Sequence, residues 1–217
     1  MRCIYEFVLE NDVSAPLELG TGWGATSCVM AAALEERGRG RLLTIDLHLT
    51  PPVNVRALMD HVGLPAKYVE PVVDKLGYDW YLPELIKKQT HQGVCEPLFD
   101  FCLLDGAHEW VPDALAFTLA SRLIKPGAWI AIDDLNFNLR MVDDWQRFFP
   151  NHSDRELDTF QMRMVWEIMV LPNTEFANFR VTHDGRIGWA QRLSAPRRLS
   201  TGVGSVLQTL RRRARNA

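Results

Sequence analysis

Pro16-Leu17-Glu18-Leu19-Gly20-Thr21-Gly22-Trp23-Gly24-Ala25-Thr26-Ser27 is the stretch on which the reading of this chain turns. A short apolar run carrying one carboxylate ends in three glycines at alternate positions, and a helix-like segment follows. That pattern reads as a strand, a tight turn and a helix N-terminus, an arrangement that holds nucleotide-like cofactors. Glycine suits the turn because a residue without Cβ reaches unusual φ/ψ and lets backbone approach a ligand closely. Taken as Gly20, Gly22 and Ala25, the stretch also satisfies the dinucleotide pattern G-x-G-x-x-G/A, so the rest of the chain has to decide the cofactor.

Working outward, residues 41–46 (Arg41-Leu42-Leu43-Thr44-Ile45-Asp46) read as a second strand ending in an acid. Asp46 stands where an acidic side chain accepts hydrogen bonds from ribose hydroxyls in such folds. Residues 99–104 and 129–132 are two further buried strands, ending at Asp105 and at Asp133-Asp134. Residues 68–73 form a third, irregular strand containing Pro71. Helices are expected over 1–12, with Ile4, Phe7 and Val8 inward, and over 25–37, with Val29, Ala32 and Ala33 inward. Others are expected over 54–62, within 77–89, and over 112–123 with Leu115, Leu119 and Leu123 on one face, stopped by Lys125-Pro126-Gly127. Helical material follows over 141–149 and 155–170. Residues 178–193 close the pattern as two strands around the Asp-Gly turn of His183-Asp184-Gly185-Arg186. The alternation predicts an α/β fold: a doubly wound, mainly parallel seven-stranded Rossmann-like sheet ending in an antiparallel hairpin.

The 217 residues are 47% hydrophobic and 24% charged, which suits one folded domain over 1–193 and a basic tail over 194–217. The tail carries six arginines and no acid, with Val203, Val206, Leu207 and Leu210 at helical spacing. The body is therefore more acidic than the net charge of −3, which argues against a nucleic-acid-binding main face. No apolar run is long enough to span a bilayer. The first residues have neither the apolar core nor the cleavage site of a signal peptide, so a cytoplasmic protein is expected. Cys3, Cys28, Cys95 and Cys102 lack metal-ligand spacing and read as reduced structural thiols.

Ligands of a parallel sheet bind at the carboxyl ends of its strands, where Asp46, Asp105, Asp133 and Asp134 all fall. Carboxylates on neighbouring strand ends repel one another unless a cation lies between them. A hard divalent ion with oxygen ligands, such as Mg²⁺, answers that need. His108, three residues after Asp105 on the loop leaving the strand, is placed to act as a general base.

Residues 17–24 (Leu-Glu-Leu-Gly-Thr-Gly-Trp-Gly) resemble the first motif of class I S-adenosylmethionine-dependent methyltransferases, and Asp46 fits the acid of their second strand. Residues 99–108, with Asp105-Gly106-Ala107-His108, are similar to the DGxH segment of the small-molecule O-methyltransferase-like subgroup. Residues 125–134 match that subgroup's (K/R)PGG…DD stretch, and the closing hairpin its sixth and seventh strands. The resemblance implies S-adenosylmethionine held by Glu18, Gly20, Thr21, Gly22, Trp23, Gly24, Asp46 and Asp105. It further implies Mg²⁺ on Asp105, Asp133 and Asp134, lowering the pKa of a small-molecule acceptor hydroxyl, with His108 removing the proton. The sequence departs from the metal-dependent relatives at the base: His108 stands where the catechol type has lysine, and Ala107 where the macrolide-sugar type has Asp. A metal-independent methyltransferase and an NAD(P)-dependent oxidoreductase remain alternatives. The acceptor pocket is expected from residues 78–82, Trp110 and residues 136–146. Oligomeric state is open between monomer and homodimer.

Overall fold

Strand β1 (Pro16–Leu19) is buried at all four positions, as a strand with neighbours on both edges and helices on both faces has to be. A computed structural model describes residues 1–49 and 54–194 of the chain. The expected tail thus lies outside the described residues, apart from Ser194.

Helix α1 (Arg2–Glu10) precedes β1 and buries Ile4, Phe7 and Val8, the residues its spacing singled out. After β1 come α2 (Ala25–Glu36), β2 (Leu42–Asp46), α3 (Val55–Val62), β3 (Val69–Val73) and α4 (Tyr78–Gln89). A hairpin of two two-residue strands over 90–95 leads to β4 (Phe99–Leu104), α5 (Trp110–Leu123) and β5 (Ile124–Ile132). The closing strands are β6 (Phe176–Thr182) and β7 (Ile187–Arg192). The sheet order is β3-β2-β1-β4-β5-β7-β6, parallel from β3 to β5, with β7 antiparallel to both β5 and β6. This is the expected architecture.

The two faces bury separate cores. Helices α1, α2 and α3 cover one face with Phe7, Met30, Leu34 and Met59 over Phe101 and Trp189. Helices α4 and α5 and a later helical segment cover the other with Leu82, Ile86, Phe117, Ala120 and Trp166. On the first face the Arg180 guanidinium of β6 lies 4.8 Å from the Trp129 ring and 5.0 Å from that of Trp189, joining the hairpin to β5 by cation–π contact.

Three local expectations are corrected. Helix α2 buries Ser27, Met30, Ala31 and Leu34 as well as Ala33, leaving Val29 and Ala32 only partly covered. In α5, Leu123 is buried but Leu115 is exposed, and the inward face is Asp113, Ala116, Phe117 and Ala120. The cause is Asp113, whose carboxylate accepts from the Tyr78 hydroxyl (2.6 Å) and the Glu109 N–H (3.0 Å) and so fixes the rotation of the helix. The segment 139–170 is not two helices but a series of short pieces. A 3₁₀ turn (Leu139–Met141) is followed by helices Trp145–Phe148 and Asp154–Asp158, the latter opened by a Ser153/Glu156 capping box. Gln161–Met164 then widens into a π-helical turn, Val165–Val170.

One row of hydrogen bonds positions the site. Just past the strand ends, Gly20 N–H donates to Ile45 C=O, Asp105 N–H to Leu19 C=O, and Asp133 N–H to Leu104 C=O, at 2.9 to 3.0 Å. Gly20, Asp105 and Asp133 therefore stand side by side on the carboxyl edge of the sheet. The crevice opens between β1 and β4, where the strand order reverses.

Candidate active site

A cavity of about 480 Å³ occupies that crevice, lined by the glycine turn, Glu18, Asp46, Leu47, Tyr78 and the loop from Asp105 to His108. Of the residues expected to hold a cofactor, Glu18, Gly20, Thr21, Gly22, Trp23, Asp46 and Asp105 line it. Gly24 does not. It caps α2 in the left-handed conformation, and a Cβ there would stand 2.4 Å from Val55 Cα, so its role is close packing of α2 against α3. At Gly20 (φ +95°) a Cβ would fall 2.0 Å from the Asp105 carbonyl oxygen, which is how closely the β1 and β4 loops abut.

Asp46 closes the turn. Its Oδ2 accepts the N–H groups of Thr21 (2.9 Å) and Gly22 (2.8 Å), and its Oδ1 that of Leu47 (2.6 Å). The end of β2 thus holds the glycine turn in shape, and the carboxylate still faces the cavity.

Glu18 is only 1% exposed. Its Oε2 accepts from the Ser27 hydroxyl and from Thr44 Oγ1 (2.6 Å), and Thr44 in turn lies 2.6 Å from Thr21 Oγ1. Burial pushes its carboxyl up to about 8, outweighing the two hydroxyl bonds that favour the anion. Glu18 therefore rests mainly as the neutral acid at pH 7.

The loop after β4 is pinned from below by Tyr78, whose hydroxyl accepts the Ala107 N–H (3.0 Å) while donating to Asp113. The imidazole of His108 lies at its end, edge-on to Phe137 with ring centroids 5.3 Å apart. His108 Nε2 is 3.1 Å from Asp134 Oδ2 and 3.8 Å from Asp105 Oδ1. His108 and Asp134 both hold left-handed backbones (φ 60°), a strained state for residues with a Cβ that is kept where surrounding structure imposes it. Nδ1 of His108 is buried with no hydrogen-bond partner among the described residues. Burial works against the imidazolium, but the Asp134 hydrogen bond and the Asp105 charge prevail and hold its pKa above 6.5. Burial likewise opposes ionisation of Asp134, yet His108 and Arg186 lower its pKa overall. Asp105 is raised to about 7, by burial first and Asp133 second.

The cation between the strand-end carboxylates is an arginine. Arg186 Nε and a terminal guanidinium nitrogen donate to the two oxygens of Asp133 (2.8 and 3.0 Å), and Nε also lies 3.0 Å from Asp134 Oδ1. The turn residue was read from sequence only as part of the hairpin. Because β7 runs antiparallel to β5, with Ile132 opposite Gly188, the hairpin's turn overhangs the carboxyl edge and delivers Arg186 there. The antiparallel hairpin was the available signal, needing only the β5–β7 register to be followed through.

The acids Asp105, Asp133 and Asp134 do converge, but they do not fit a Mg²⁺ ion held by all three. Both oxygens of Asp133 are taken by the guanidinium fork, and Asp134 is shared between Arg186 and His108. Among the described residues, the group that could gather ligand atoms within 4.8 Å of one another is Asp105, His108 and Asp134, a set including an imidazole rather than the all-oxygen shell Mg²⁺ favours. Of the segments expected around an acceptor, Tyr78 lines the cavity. Trp110 begins α5, with its N–H donating to Gln161 Oε1 (2.7 Å).

A family model described as a methyltransferase domain matches residues 17–135. Among curated proteins no relative matches. Solved structures share the fold. The O-methyltransferase TomG from Streptomyces achromogenes, in complex with SAM, is 20% identical (TM-score 0.58, 89% of this chain and 79% of that one). An O-methyltransferase from Bacillus cereus in complex with SAH is 18% identical (TM-score 0.55, 88% and 78%). MycE, a methyltransferase of the mycinamycin biosynthetic pathway in complex with Mg, SAH and mycinamycin VI, is 15% identical (TM-score 0.52, 88% and 48%).

Proposed function

The chain belongs to the methyltransferase-domain family, and from that premise we propose that it transfers the methyl group of S-adenosylmethionine to a hydroxyl oxygen of a small molecule. The observation that carries this reading is the cavity at the strand-order reversal, which brings the glycine turn, Glu18, Asp46 and His108 around one space. The structural neighbours seen with SAM or SAH support the choice of cofactor, and their names support oxygen as the acceptor atom.

The residues present fit that cofactor. Gly22 meets nothing within 4 Å on the side where a Cβ would stand, so the turn offers bare backbone to a ligand. Asp46 would hold the ribose hydroxyls, and Glu18 would lie on the side of the amino-acid end and the sulfonium. Bound there, S-adenosylmethionine supplies an electrophilic methyl group. Asp134 accepts the Nε2 proton of His108, which leaves Nδ1 as the basic nitrogen. His108, which lines the cavity, takes the proton from the acceptor hydroxyl. Phe137 and Asp134 hold the ring in place while it does so. A large part of the rate comes from holding the two reactants in line.

Thermal melting with S-adenosylhomocysteine, NAD and NADP tests the cofactor. S-adenosylhomocysteine should raise the melting temperature and the nicotinamides should not; the opposite ranking would refute the reading. Labelled methyl transfer to a panel of phenols and sugar alcohols then tests the acceptor, and transfer confined to amines would overturn the oxygen assignment.

A further inference from the structure

We propose that Arg186 is a built-in substitute for a divalent ion, filling the place between Asp133 and Asp134 so that the site works without a metal and His108 stays aligned on Asp134. The inference deepens the methyl-transfer reading and rests on it for its catalytic half. Its structural half stands on the ion pairs alone.

Position comes first. The Nε of Arg186 bridges Asp133 Oδ1 (2.8 Å) and Asp134 Oδ1 (3.0 Å), which is the place an ion shared by two adjacent carboxylates would take. The second arm of the guanidinium claims Asp133 Oδ2 at 3.0 Å. A planar fork meeting a carboxylate through two parallel bonds is the strong, geometrically specific form of this contact, and guanidinium does not lose its proton in proteins. A divalent ion would have to displace it from both acids at once.

The arm carrying the charge is also fixed. The Arg186 N–H donates to the carbonyls of Thr182 (3.1 Å) and His183 (3.0 Å), and its own carbonyl accepts from Leu135 N–H (2.9 Å), directly after the acid pair. His183, Asp184 and Gly185 run consecutively through the left-handed region (φ 55°, 53° and 87°), so the turn is tight and sets the direction in which Arg186 leaves it. Asp133 is held from the other side as well, its Oδ1 accepting the Asp134 N–H at 2.8 Å.

Alignment follows from the same contacts. Asp134 has one oxygen on Arg186 and the other on His108, so the guanidinium fixes the carboxylate that orients the imidazole. Arg186 is thus a positioning residue, acting on the acceptor through Asp134 and His108. Removing it leaves Asp105, Asp133 and Asp134 without their built-in cation, and that set of hard oxygen ligands suits a divalent ion.

The test is Mn²⁺ binding, followed by its electron paramagnetic resonance signal, in the wild-type chain and in Arg186→Ala and Arg186→Gln. The wild type should show no stoichiometric site. Both variants should gain one site, at least tenfold tighter than any residual Mn²⁺ association of the wild type, lost again in Arg186→Ala/Asp133→Asn. Two variants guard against one failing to fold. Equal Mn²⁺ binding by the wild type and the variants would overturn the proposal, as would variants that gain no site. In parallel, wild-type turnover should survive EDTA unchanged, and a loss restored by Mg²⁺ would refute metal independence. If no methyl transfer is found at all, the functional reading falls while the Mn²⁺ comparison still decides what Arg186 does.

Discussion

Replacing Glu18 by Gln should remove a large pH dependence of stability. The side chain is buried against Ser27 and Thr44 and rests as a neutral acid, with a pKa pushed from 4.5 to about 8. Because the folded value lies above the unfolded one, the folded chain binds this proton more tightly. The stabilisation is fully present below pH 4.5, where it amounts to about 5 kcal/mol, and is lost as pH rises through 8. Between pH 6 and pH 8 the wild type should lose about 2 kcal/mol from this group alone. Glutamine has the same shape and no titrating proton, so it keeps the hydroxyl contacts available and abolishes the slope. Urea unfolding at a series of pH values measures both proteins. Asp105, also raised, contributes a fall of the same sign in each and cancels in the difference. Parallel stability curves for wild type and Glu18→Gln would refute the reasoning, since they would mean that Glu18 is charged in the fold throughout this range.

Other outcomes follow from the same geometry. His108→Ala should lower turnover by about 10²–10⁴-fold with S-adenosylhomocysteine affinity intact, checked by steady-state rates and calorimetry. Since the resting imidazole is held protonated above its ordinary pKa of 6.5, wild-type kcat/KM should rise with pH through that shifted value, and a flat profile would place the base elsewhere. Tyr78→Phe strips the Asp113 carboxylate and the Ala107 N–H of a partner and should cost about 1–3 kcal/mol in chemical denaturation. Gly20→Ala puts a methyl against the Asp105 carbonyl and a side chain on a left-handed backbone; it should lower Tm by several degrees, from a cost of about 2 kcal/mol or more, and weaken cofactor binding.

What the sequence revealed and what it hid differ in range. The glycine turn, Asp46 and the acids at the ends of β4 and β5 were legible because each follows directly from a local pattern, an apolar run stopping at a polar residue. That the acids would meet followed from parallel pairing, which aligns one strand end with the next. Arg186 was not legible as a site residue because its place depends on a strand register set 53 residues away from its partner acid. Asp113 was hidden for another reason: an acid on an amphipathic helix is ordinarily solvated, and only the Tyr78 hydroxyl reaching across from α4 turns it inward. With it turned the helix face that Leu115 had suggested. Gly24 looked like a third ligand-facing glycine, but the two reasons for a glycine, approach to a ligand and approach of two helices, leave the same mark in a sequence.

The hairpin that carries Arg186 also sets an order of events for the folding chain. The cofactor cavity is built from residues 18–108, whose contacts are complete once β4 has joined β1. Neutralisation of the acids waits for β7 to pair with β5, and residues 187–192 are the last strand of the sheet to be synthesised. Until then Asp105, Asp133 and Asp134 face one another with no guanidinium between them, and their repulsion opposes the last steps of sheet growth at neutral pH. A growing chain would therefore pass through a state that already has the cavity but not the charge balance of the finished site. In that interval, before the arginine arrives, the three carboxylates are open to a passing metal ion.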